Sequence, residues 1–271
     1  MGSATSIKNA VILARGLGRR MRQDDSSTLL DAAQTAAAES GVKAMVPVGR
    51  PFLDYVLSAL ADAGFTSACL VVAPGANRLR DHYTRTLLPK RIDVSFAIQI
   101  DPLGTANAVL AAEEFAGPDE FLVINSDNYY PADVLRAVQG LGHPGAVLFE
   151  AVSLVRQSNI QEGRIRAFAS CVVDSSGLLL DIIEKPGVGH FDAAKLVSMN
   201  CWRFRPGIFS ACRDVPLSPR NEYELPLAVK LAIQRGMKLR TVISQSGVLD
   251  LSRRSDIAAV TERLKDVPVA L

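Results

Sequence analysis

Residues 7–22 read IKNAVILARGLGRRMR. An eight-residue aliphatic run, IKNAVILA, passes directly into a glycine-bearing, arginine-rich turn. A short apolar run bounded by a turn reads as a strand buried on both faces, and such strands belong to parallel sheets covered by helices. Gly16 and Gly18 let the backbone approach an anion closely, and the free N–H groups of a following helix would face it. Arg19, Arg20 and Arg22 add positive charge. The stretch therefore reads as a strand feeding a phosphate loop, although a tight turn with solvated arginines would look the same locally. Two familiar phosphate loops are excluded. A Walker A loop needs Gly-Lys-Ser/Thr at the helix start, and a dinucleotide fingerprint needs a glycine where Met21 stands.

Working outward, strands are expected over 67–73, 92–99 and 120–125, separated by helical patterns at 52–63, 77–88 and 105–115. That alternation implies right-handed βαβ crossovers and a mostly parallel sheet. Beyond Pro131 the pattern changes. Residues 146–154, 167–173, 178–183 and 197–204 read as strands, and Asp174-Ser175-Ser176-Gly177 reads as a hairpin turn between the second and third of them. A helix is expected over 225–235, short strands over 239–243 and 248–251, and a last helix over 255–264 with Ser255 as N-cap. The fold class is thus α/β: helices on both faces of a mostly parallel mixed sheet, with an added antiparallel element. The polar, alanine-rich segment 23–41 interrupts what should be a short loop, and reads as a mobile insertion with a short helix from Ser27.

Composition narrows the function. The 271 residues are 48% hydrophobic and 21% charged, enough for a substantial core. A net charge of +2 argues against nucleic acid or an anionic membrane as partner. No apolar run approaches the roughly 20 residues that span a bilayer, and the N-terminus does not read as a secretory signal. Cys69, Cys171, Cys201 and Cys212 show no metal-ligand spacing, and Cys69 and Cys171, inside apolar runs, are expected as buried hydrophobes in a reducing, cytoplasmic protein.

The run LARGLGRRMR (13–22) resembles the G-x-G-T-R-[ML] loop of the sugar-1-phosphate nucleotidyltransferases, such as the glucose-1-phosphate thymidylyl- and uridylyltransferases. Further segments match that family in the same order. Lys43-Ala44-Met45-Val46-Pro47-Val48 with Arg50-Pro51-Phe52 is similar to its K-x-[ML]-[LV]-P-V stretch. Gln99 followed by Pro102-Leu103-Gly104-Thr105-Ala106 is similar to its Q…LGTA segment. Asn125-Ser126-Asp127-Asn128 resembles its N-G-D, Glu184-Lys185-Pro186 its E-K-P with Asn200 after it, and Ser218-Pro219-Arg220 with Glu222 and Glu224 its SPRGELE. Leu249-Asp250-Leu251 resembles the late aspartate motif.

The resemblance implies a Rossmann-like three-layer α/β/α sandwich in a single domain, 1–271. Residues 5–130 would form the nucleotide-binding half and 131–271 the sugar-phosphate half. It implies joining of a nucleoside triphosphate, UTP or dTTP, to a sugar 1-phosphate, with glucose 1-phosphate favoured and pyrophosphate released. It leaves room for a homo-oligomer. Asp127 and Asp250 would hold Mg²⁺, a hard cation that takes oxygen ligands. Arg20 and Lys43 would bind the triphosphate and Lys185 the sugar phosphate. Leu13, Ala14, Gly16, Gly18, Gln99, Gly104 and Thr105 would line the nucleotide site, while Glu184 and Asn200 would meet the sugar. Departures from the family pattern are Arg19 in place of threonine, Arg15 beside the expected base pocket, and the insertion at 23–41. Two rivals stand at this point: a non-catalytic nucleotide-sugar-binding regulatory subunit, and a glycosyltransferase of similar topology.

Overall fold

The strand of residues Asn9–Leu13 (β1) pairs in parallel with Ser67–Val72 (β2) on one side and Phe121–Asn125 (β4) on the other. In this computed structural model, which describes residues 6–23, 28–184 and 196–271, β2 continues in parallel to Asp93–Ile98 (β3). The remaining strands are Asn128–Tyr129 (β5), Gly145–Glu150 (β6), Ala169–Val173 (β7), Leu179–Ile183 (β8), Leu196–Phe204 (β9), Arg240–Ser244 (β10) and Leu249–Asp250 (β11). The main path runs β10-β6-β9-β4-β1-β2-β3. β9 is antiparallel to both β4 and β6, and the β7–β8 hairpin adds to β9. This is the mixed, mostly parallel sheet with an antiparallel addition that the sequence pattern implies.

β1 shows why the sheet must be covered twice. Ala10 and Ile12 point into one apolar core, Val11 and Leu13 into another. Successive strand residues face opposite sides, so an uninterrupted apolar strand needs helices on both. Helices Phe52–Asp62, Ala132–Gly140 and Asp256–Leu264 bury residues in the first core. Helices Thr105–Leu110, Ile208–Asp214 and Leu225–Gln234 bury theirs in the second. The result is the three-layer α/β/α arrangement.

Several expectations need correction. The strand expected over 146–154 ends at Glu150, and Ala151–Gln157 is helical. An aliphatic run is ambiguous between the two states until its burial is known. The helix expected over 105–115 divides into Thr105–Leu110 and Glu113–Ala116. Ser255 precedes the last helix but makes no side-chain cap; the Asp256 carboxylate accepts from the Ser252 and Arg253 N–H groups instead, at 2.9 and 2.8 Å.

The insertion carries more structure than its composition suggests. The expected helix start at Ser27 lies outside the described residues. The described helix spans Ala32–Ser40 and is closed by a capping box: Asp31 accepts from the Gln34 N–H at 2.7 Å while Gln34 returns a bond to the Asp31 N–H. Ala37 and Ala38 are fully buried. Gly41 ends the helix at φ 72°, and Arg22 donates to the Ser40 carbonyl at 2.9 Å. Residues 31–41 thus form a capped helix with two buried alanines, packed beside the Arg19–Arg22 helix in this structure. In hydrogen exchange on nucleotide-free protein, the amides of residues 36–41 are expected to exchange at least tenfold more slowly than in an unstructured chain; unprotected amides there would mark a mobile insertion instead.

Candidate active site

The C-terminal ends of β1 and β4 open onto a cleft of about 990 Å³. That is at the upper end of the range of roughly 300–1,000 Å³ for small-molecule and cofactor sites. Its floor is Leu13 and Ala14; the Ala14 N–H is held by the Val71 carbonyl, and the Leu13 carbonyl accepts from Ser126 N–H at 3.1 Å. Gly16 and Gly18 form one wall, with Gly18 at φ 60° leading into the short helix Arg19–Arg22. Arg20 lines the same wall and is exposed, so its guanidinium is available to an anion in the cleft. The four-residue helix contributes little by itself; the charge of Arg20 is the stronger anion-binding feature.

Asp127 and Asp250 come together here, although they are far apart in the chain. β5 and β11 pair antiparallel with Asp250 opposite Asn128, and the Leu251 N–H bonds the Asp127 carbonyl at 2.8 Å. Asp127 Oδ2 accepts from Lys43 Nζ at 2.7 Å. Lys43 reaches it from a single 3₁₀ turn, Lys43–Met45. Asp250 is 3% exposed. Its Oδ1 accepts from Asn128 Nδ2 at 3.1 Å and Ser252 Oγ at 3.0 Å, and its Oδ2 takes Arg164 Nη2. Asn159 clamps its backbone on both sides, donating to the Asp250 carbonyl and accepting from its N–H. Burial pushes the Asp250 carboxyl up to about 6, and the neighbouring Asp127 charge pushes the same way against the pull of Arg164.

Gln99, Gly104 and Thr105 line another part of the cleft. Gln99 is buried, and its Nε2 donates to the Gly104 carbonyl at 3.0 Å and to Asn107 Oδ1 at 2.8 Å. A backbone carbonyl only accepts, so the Gln99 amide has one orientation and Oε1 is its remaining acceptor. Arg15 bonds the Gln99 and Ile100 carbonyls, both at 2.8 Å, and so braces this wall. Gly104, at φ 113°, packs against Tyr223: a Cβ there would sit 2.5 Å from the Tyr223 carbonyl oxygen. Thr105 Oγ1 accepts from the Leu225 N–H at 2.8 Å, which fixes the 218–225 stretch over the turn.

On the opposite wall Glu184 meets Arg220 Nη2 at 3.3 Å, and Arg220 also pairs with Glu224. Asn200 has φ 59° in the middle of β9. A non-glycine residue in that region costs about 1 kcal/mol or more and points to a site that needs it. Its Oδ1 accepts from Trp202 Nε1 at 3.1 Å. Lys185 lies outside the described residues. All the other residues expected at the site line this one cleft.

Sequence reading missed Arg164, Asn159 and Asn107. Arg164 and Asn159 come from the β6–β7 connection, part of which reads as strand; only the β11 contact reveals them. Asn107 lies one turn into a helix, where an Asn prompts no functional reading. Among the described residues no group of three or more His, Cys, Asp and Glu side chains could hold a metal. Two carboxylates suit Mg²⁺, which takes one or two carboxylates and fills its other positions with phosphate oxygens and water.

The Nucleotidyl transferase family model matches residues 38–265. The chain belongs to that family. The UTP–glucose-1-phosphate uridylyltransferase AglF of Haloferax volcanii is 28% identical to it over 95% of this chain and 96% of its own length. The glucose-1-phosphate thymidylyltransferase of Streptomyces antibioticus is 26% identical over 93% of this chain, which spans 64% of that longer protein. A UDP-glucose pyrophosphorylase solved with UDP-glucose superposes with a TM-score of 0.76 over 97% of this chain and 100% of its own, at 17% identity. That likeness concerns the fold. No helix among the described residues is long and apolar enough to cross a membrane.

Proposed function

We propose that the chain is a Mg²⁺-dependent sugar-1-phosphate nucleotidyltransferase, taking UTP or dTTP and glucose 1-phosphate to a nucleotide-sugar and pyrophosphate. The observation that carries this reading is the meeting of Asp127 and Asp250 beside the phosphate loop. The names of the uridylyl- and thymidylyltransferase relatives supply the substrate pair. In the proposed reaction a sugar-phosphate oxygen attacks the α-phosphorus in line. The new P–O bond forms as the bond to pyrophosphate breaks, and its electron pair leaves with the pyrophosphate. Both substrates are polyanions, so positioning and charge neutralisation are the main demands.

Arg20 would take the leaving phosphates, with a fork suited to bidentate binding. Lys43 would move from Asp127 to the triphosphate once a divalent cation neutralises that carboxylate. Glu184 and Asn200 would orient the sugar, and Lys185 its phosphate. Mg²⁺ held by Asp127 and Asp250 would polarise the α-phosphoryl group. No proton-transfer dyad is required. The reading includes a cytoplasmic location, where nucleoside triphosphates and Mg²⁺ are at hand.

The base wall supports a pyrimidine with an N3–H. Gln99 Oε1 can accept from uracil or thymine, whereas cytosine has no hydrogen at N3. Asn107→Leu would remove one of the two acceptors that hold the Gln99 amide in this orientation and leave only the Gly104 carbonyl, and Asn107→Asp would keep both. We expect Asn107→Leu to lower the kcat/KM ratio of UTP over CTP roughly tenfold, about the worth of one buried hydrogen bond. Asn107→Asp should retain most of it, and unchanged discrimination in Asn107→Leu would remove Asn107 from this role.

Function is tested by incubating the five common nucleoside triphosphates with a panel of sugar 1-phosphates and measuring released pyrophosphate. Release that needs both substrates and Mg²⁺, greatest with UTP or dTTP and glucose 1-phosphate, is expected. Nucleotide-sugar binding without turnover would favour a regulatory subunit, and sugar transfer from a nucleotide-sugar would favour a glycosyltransferase.

A further inference from the structure

Arg164 lies between two carboxylates. One arm of its guanidinium bonds Asp250 Oδ2, the other reaches Asp256 Oδ1 at 2.6 Å, and the side chain is only 14% exposed. Asp256 is itself anchored by the Ser252 and Arg253 N–H groups through its other oxygen. The opposite oxygen of Asp250 is already occupied by Asn128 and Ser252. With two donors already on Oδ1, Oδ2 is the oxygen left for a new ligand, and Arg164 holds one of its two acceptor positions. Lys43 stands in the same relation to Asp127, but through a single flexible ammonium.

We infer that Arg164 is a tethered counter-ion that exchanges with the divalent cation at Asp250. Asp256 is its second berth. When a cation takes Asp250, Arg164 releases that oxygen yet keeps a buried charged partner, so the exchange strands no charge. A guanidinium suits this because its two arms bind two carboxylates at once. The inference rests on the proposed metal role of Asp250.

The arrangement has a measurable consequence. A ligand whose site is open only a fraction of the time binds with an apparent Kd raised by that fraction. An ion pair occupying the ligand oxygen about nine-tenths of the time would weaken metal binding roughly tenfold. Removing it should tighten the site. A residue that merely shaped the cleft would do the opposite, since its loss would loosen the ligand geometry.

The test is Mn²⁺ binding to the full chain at pH 8 without nucleotide, followed by electron paramagnetic resonance of the free ion. Arg164→Gln is expected to lower the Mn²⁺ Kd about tenfold relative to wild type. Arg164→Lys keeps the charge but cannot span both carboxylates, and should fall between them. If Arg164→Gln does not fold, as judged by thermal melting, tightening in Arg164→Lys carries the test. Binding no tighter than wild type in the variant that folds, including no detectable binding in either protein, overturns the exchange. Asp250→Asn separates the two levels. If it abolishes binding while Arg164→Gln leaves the Kd unchanged, only the exchange fails; if it binds as wild type does, the metal role of Asp250 falls too.

Discussion

Asp250→Asn is expected to abolish turnover and at the same time stabilise the metal-free protein. The loss of activity should be roughly 10³-fold or more, the scale for removing a group that organises charge in a transition state. The gain in stability follows from the position of the carboxyl. Its value is pushed from 3.8 up to about 6, chiefly by burial and then by Asp127. A carboxyl that binds its proton more tightly folded than unfolded makes the folded state less stable as pH rises from about 4 through 6. Above pH 6 the cost is constant, and a shift of this size corresponds to about 1–3 kcal/mol.

The competing term is the ion pair. Breaking a buried pair can cost 3–5 kcal/mol when a charge is stranded. Here Arg164 retains Asp256, and the carboxyl is raised despite the pull of Arg164. The net expectation is a melting temperature several degrees higher for Asp250→Asn at pH 8 in chelator, with the difference shrinking toward pH 4. In Mg²⁺ and UTP the order should reverse, because only the wild type gains ligand binding energy. A variant less stable than wild type at pH 8 in chelator would show that Asp250 is a structural acid.

The parallel sheet was readable because β1, β2 and β4 are apolar without interruption, and only a sheet covered on both faces gives that pattern. The hairpin was readable from its turn, where Asp174 Oδ1 accepts from the Ser176 and Leu178 N–H groups. The motif residues stood out in the sequence as well, and those among the described residues line one cleft. What stayed hidden depends on contacts between distant segments. Asn159 and Arg164 matter only because β11 lies beside them, and no local pattern encodes that. The burial of the helix Ala32–Ser40 was not readable because alanines carry little hydrophobic signal, although two of them are fully buried beside the phosphate loop.

That close packing makes Gly18→Ala a damaging small substitution in the cleft. A Cβ on Gly18 would stand 2.2 Å from the Gly41 carbonyl oxygen and 2.6 Å from its Cα, so the clash is with backbone. The Arg22 guanidinium lies against the other side of Gly41, so a retreat of Gly41 would displace Arg22 and its bond to the Ser40 carbonyl. Gly18 also has φ 60°, which costs an L-residue about 1–2 kcal/mol before any clash. Loss of chain freedom in the unfolded state offsets only about 0.4–1 kcal/mol, while forced overpacking adds about 1–3 kcal/mol. The sum favours a net loss of about 2–4 kcal/mol and a fall in melting temperature of roughly 4–16 °C. Because Gly18 opens the helix that carries Arg20, UTP affinity should drop at least tenfold in protein that remains folded. Gly16→Ala is the control: nothing lies within 4 Å of its Cβ position, so its melting temperature should match wild type. Equal melting of the Gly18 and Gly16 variants would mean that the insertion helix and the phosphate loop do not press on each other in solution.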